Sequence, residues 1–66
     1  MLIQEVGETA GLIWQAIDSQ GALKLTALKK QLKLNDTILH MALGWLARED
    51  KIEMSASGRT FLVQLK

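Results

Sequence analysis

Between residues 23 and 61 the chain runs through a short helix, a tight turn, a longer helix and two alternating segments suited to a hairpin, and this order constrains the fold most. An amphipathic stretch comes before it, so the 66 residues read as one domain, 1–66, in which every element must share a single core. A domain of this size lies near the lower limit of what folds without disulfides, metal or a partner. Burying apolar surface contributes about 25 cal/mol per Å², and ordering each residue costs about 1.5 kcal/mol, so the two sums nearly cancel. A second subunit would help.

Ile3, Val6, Ala10, Ile13, Trp14 and Ile17 recur at steps of three and four, which predicts a helix with this stripe inward and Gln4, Glu5, Glu8 and Gln15 outward. Gly21 can take the left-handed conformation that closes it, near Ser19-Gln20-Gly21. Leu23-Lys24-Leu25 alternates as a very short strand would, and Thr26 is placed to cap a second helix over 27–32, with Leu28 and Leu32 inward and Lys29, Lys30 and Lys33 in water. Lys33-Leu34-Asn35 makes the turn. Asn35 or Asp36 then caps a third helix that runs to about residue 49. Its expected core stripe is Ile38, Met41, Ala42, Trp45 and Leu46, with both tryptophans read as packing rather than ligand-stacking residues. At 100° per residue, Asp36, Thr37, His40, Gly44, Ala47 and Arg48 fall on the outer side, and Leu39 and Leu43 on a shoulder. Glu49 sits near the negative end of this helix and calls for a basic partner, Arg48 or Lys51. In the hairpin, a Ser57-Gly58 loop would set Met54 opposite Phe61 and Ile52 opposite Val63, all inward. Leu23-Lys24-Leu25 would add a third strand at the edge.

The segments GLIWQAID and KLTALKKQLKLNDTILHMALGWLAREDKI, with the hairpin after them, resemble a small bacterial winged helix-turn-helix family of uncharacterised function. The resemblance covers nearly the whole chain. It implies an α+β, mainly α fold, with three helices and a short two- to three-stranded antiparallel wing sheet. It also implies DNA binding by analogy with larger regulators, and it carries no functional residues over.

Composition closes off several classes. With no cysteine and a single histidine, His40, disulfides, thiolate chemistry and a zinc set are excluded. No apolar run nears the length of about 20 residues that spans a membrane, and Met1-Leu2-Ile3 before Gln4 and Glu5 lacks a signal peptide's basic start, so a cytoplasmic protein is expected. The acids Glu5, Glu8, Asp18, Asp36, Glu49, Asp50 and Glu53 are scattered, and no convergent acid–base set emerges. No enzyme activity, cofactor, metal or small-molecule substrate is therefore expected. A net charge of +1 is modest for a nucleic-acid binder.

Two readings remain. In the first, the chain is a transcriptional regulator binding duplex DNA mainly through backbone electrostatics, with Asn35, Thr37 and His40 nearest the bases, Lys29, Lys30 and Lys33 on phosphates, and Arg59 at the wing. In the second it is a protein-interaction or dimerisation module, using Gly7, Gly11 and Gly44 for close approach and Leu12, Leu39, Leu43 and Leu62 as apolar contacts. A homodimer fits both.

Overall fold

The structure, a computed structural model, describes residues 2–66, apart from the Leu2 side chain. Helix α1 is Leu2–Gln20. It ends where expected, at Gly21, whose φ of 87° would strain a residue with a Cβ. The Gly21 N–H donates to the Ile17 carbonyl at 2.8 Å, which satisfies one of the helix's last acceptors.

Strand β1, Leu23–Lys24, leads directly into helix α2, Leu25–Leu32. The helix therefore starts ahead of the expected Thr26 cap. Extended Lys24 precedes it without any side-chain capping bond, and Leu25 is instead held by packing against the core. Tertiary burial outweighs the capping preference here.

Lys33 turns the chain at φ 53°, and the Leu34 N–H reaches back to the Lys29 carbonyl. Helix α3, Asp36–Arg48, opens with Asn35 as its cap, since the Asn35 Oδ1 accepts from the Ile38 N–H at 2.9 Å. Its far end is a Schellman closure. Asp50, at φ 61°, donates to the Ala47 carbonyl at 3.0 Å, and Lys51 donates to the Leu46 carbonyl at 3.1 Å.

Strands β2, Ile52–Ser57, and β3, Thr60–Leu65, complete an antiparallel sheet in the order β1-β3-β2. Strand β1 lies at the edge, as anticipated. The hairpin register differs from expectation by two residues, with Met54 opposite Val63 and Ile52 opposite Leu65. Ser57 pairs with Thr60, so the loop is Gly58-Arg59, and Gly58 takes a φ of 62° at the first loop position, where a type II′ turn needs glycine. A slip of two preserves the alternation, and Ile52 and Val63 are buried as expected, but Met54 and Phe61, expected inward, are 46% and 49% exposed toward the turn end of the hairpin.

The core corrects two helical stripes. Val6, Ala10, Ile13 and Ile17 of α1 are buried, but Ile3 and Trp14 are exposed. On α3 the buried set is Leu39, Ala42, Leu43 and Leu46, closing over Leu28, Ile52 and Val63. Ile38 is only half-buried, and Met41 and Trp45 are exposed. Helix α3 is thus turned by about one residue, roughly 100°, from the expected stripe. Leu39 and Leu43, at 2% and 3% exposure, are core residues rather than exposed contacts.

Candidate interaction surface

The start of α3 gathers four of the polar residues singled out in the sequence. The Lys29 Nζ stands 2.8 Å from Asp36 Oδ1, joining the last turn of α2 to the first turn of α3. That hydrogen bond, and then the lysine's charge, hold the Asp36 carboxyl below the usual carboxylate value. His40 Nδ1–H donates to the Asp36 carbonyl one turn earlier, at 2.7 Å, which leaves Nε2 free. Asn35 is spent on the cap, and Thr37 is exposed beside it.

This cluster organises the turn more than it offers charge. Lys29 is already paired with a carboxylate, whereas Lys30, Lys33 and Arg59 are exposed and make no ion pair among the described residues. Lys51 approaches Glu49 at 3.9 Å, the partner that the acidic residue at the end of α3 called for. Lys66 pairs with Asp50, and its N–H also bonds the Lys51 carbonyl, so the end of β3 is tied to the α3–β2 connection. The Asp50 hydrogen bond and charge raise the Lys66 ammonium above its ordinary value.

A larger feature lies on the exposed flank of α3. Met41, Gly44 and Trp45 line a groove of about 530 Å³ against Ile3 and Val6 of α1, with Arg48 and Glu49 at its rim. The Trp45 ring lies 3.8 Å from where a Cβ on Gly7 would sit, so the indole rests beside α1 at this position. A second groove of about 380 Å³ joins His40, Leu43 and Gly44 to Leu25, Met54 and Phe61. Gly44 belongs to both, so the two apolar grooves adjoin at that residue.

Of the residues proposed for contact, Gly44 lines both grooves and buried Leu43 floors the second, while Gly7 lines neither and neighbours Trp45. Gly11 and Leu12 are exposed on α1, and half-buried Leu62 lies on β3; none of the three lines either groove. The stripe assignment missed Ile3, Met41, Trp45, Met54 and Phe61, the large apolar side chains that make the face. A signal was present: residues 38, 39, 41, 42, 43, 45 and 46 are all apolar, too wide an arc for one core-facing side.

Among the described residues no group of acids and histidine could hold a metal ion, and no helix is long and apolar enough to cross a membrane.

Helix α2, its left-handed turn, helix α3 and the β2–β3 hairpin, backed by α1 and the edge strand β1, make up a winged helix-turn-helix domain. Residues 1–65 match the family described as winged helix-turn-helix domain DUF2582, and the chain belongs to that family. It is also 38% identical over 65 residues to an uncharacterized protein of Methanocaldococcus jannaschii, an alignment covering 94% of this chain and 91% of the relative. That relative is archaeal, so the likeness is not confined to bacterial proteins.

Proposed function

We propose that this domain acts through protein contact, as a self-associating winged-helix module. One observation carries the reading: the exposed side of α3, which in a DNA reader would face base edges, presents Met41, Gly44 and Trp45 beside Thr37, His40 and Arg48, and adjoins Met54 and Phe61. Base readout depends on Arg, Lys, Asn and Gln. On this side Asn35 is used as the cap, Asp36 adds a negative charge, Arg48 arrives only in the last turn, and Thr37 and His40 are the exposed polar groups that remain. Apolar surface of this extent gains more from another protein than from a hydrated polyanion. A standard interface covers about 800 Å² per partner, less than a fifth of the 4513 Å² that the described chain exposes.

Sedimentation of the free protein tests the reading. A dimer that Met41→Glu dissociates without loss of helical signal supports it; a monomer at every concentration defeats it. In a cytoplasmic setting, DNA contact is the second reading, favoured by exposed and unpaired Lys30, Lys33 and Arg59. Such binding would be electrostatic, would weaken steeply with salt, and would disappear when the three are changed together to glutamate.

A further inference from the structure

The two edges of the sheet are unlike. On one side β1 contributes only two residues and passes at once into α2. On the other, β2 runs for six residues, and among the described residues no strand pairs with its outer side. Soluble proteins guard such an edge with charged side chains, lysine above all, or with proline, a bulge or a covering element, because its unpaired N–H and C=O groups invite another strand. Ile52-Glu53-Met54-Ser55-Ala56-Ser57 contains no lysine, proline or glycine, and Glu53 is its single charged residue. The left-handed residues Asp50 and Gly58 lie outside it, and its ladder to β3 is continuous from Ile52 to Ser57 without a bulge.

We propose that two copies of the chain join through their β2 strands, antiparallel about a two-fold axis at Met54, to form one sheet in the order β1-β3-β2-β2-β3-β1. This names the contact behind the self-association proposed above and rests on it. Residues facing each other across antiparallel strands share a side of the sheet, so a two-fold axis must pass beside a residue rather than between two. At Met54 the axis sets that side chain against its copy, Ile52 against Ala56, and Glu53 against Ser55. No like charges meet, whereas an axis at Glu53 would oppose two carboxylates. Met54 is 46% exposed and lines the groove with Phe61 and His40, so the apolar face of α3 extends to this edge. The same axis leaves both copies' apolar faces on one side of the joined sheet.

The test combines sedimentation with amide hydrogen exchange at concentrations below and above dimer formation. The outward amides of β2 are expected to slow by at least about tenfold on dimerisation, with β1 unchanged. Ser55→Glu places a carboxylate opposite Glu53 of the other copy and should weaken the dimer by about tenfold, whereas Ser55→Lys should hold or tighten it. Ser55 is exposed, and helical circular dichroism of each variant checks that the monomer is intact. A dimer whose β2 exchange ignores concentration, or one indifferent to both variants, overturns strand pairing and leaves self-association standing. A monomer throughout overturns both. Exchange slowed only by an added foreign strand peptide would likewise end the case for a second copy.

Discussion

Leu39, Ala42, Leu43 and Leu46 point inward from α3, while Met41, Gly44 and Trp45, one position away in each turn, point outward. Both flanks are apolar, and hydropathy alone cannot choose between them. Shape chooses: Ala42 and Ala10 are almost fully buried, and a small side chain on each of α1 and α3 lets the helices close while leucines of even size fill the spaces beside them. An indole on the inward flank would hold them apart. The tryptophan is placed instead over Gly7, half in contact and 40% exposed.

The most direct way to break this contrast is to truncate each flank in turn. Leu39→Ala removes a side chain with 2% exposure from the centre of the core and should cost about 2 to 5 kcal/mol in urea unfolding, a large share of what so small a domain has. Trp45→Ala, although it deletes more atoms, should cost the isolated fold clearly less, because much of the ring already meets water. Equal losses would mean that the outward flank is structural after all. Association should rank the two differently: Met41→Glu is expected to weaken self-association by at least about tenfold while leaving the monomer's unfolding midpoint nearly unchanged.

How far the sequence could be read follows from the same contrast. Element order, the Gly21 stop, the Asn35 cap and the alternation of both hairpin strands were legible because each rests on one residue's backbone chemistry or on a period of two. Rotation of α3 was not. Ile38, Met41 and Trp45 and the set Leu39, Leu43 and Leu46 are two stripes of one helix about 100° apart, both apolar, and the docking of α1 and the sheet decides between them. The contact face shared that fate, because it is the stripe left over. The hairpin register slipped since Ser57-Gly58 and Gly58-Arg59 are both turn-like, and only a glycine at the first loop position suits the observed φ of 62°.

The turn that aims α3 can be sharpened. Lys33 sits at φ 53°, a conformation that a lysine adopts at a cost, so Lys33→Gly should raise stability by about 0.5 to 1 kcal/mol in the same unfolding assay. Asp50→Gly, at φ 61° after the other end of the helix, should gain less. Aspartate tolerates that region better, and the change removes the Lys66 partner. A larger gain at Asp50 than at Lys33 would count against this account.

The smallest effect belongs to the ion pairs at these two ends, and it has opposite signs in pH. The folded value of Asp36 lies below its ordinary 3.8, so the contribution of its pair with Lys29 is present above that pH and is lost as pH falls through the folded value. Lys66 is raised above 10.5, so the contribution of its pair with Asp50 is complete below that pH and is lost as pH rises through the folded value. Both pairs are exposed and screened, and each should contribute little. Asp36→Asn should therefore reduce the acid-side loss of stability without touching the alkaline side, and Lys66→Met should do the reverse. If Asp36→Asn leaves the acid-side slope unchanged, the link between α2 and α3 owes nothing to that charge, and the turn at Lys33 with the Asn35 cap holds the exposed flank in place alone.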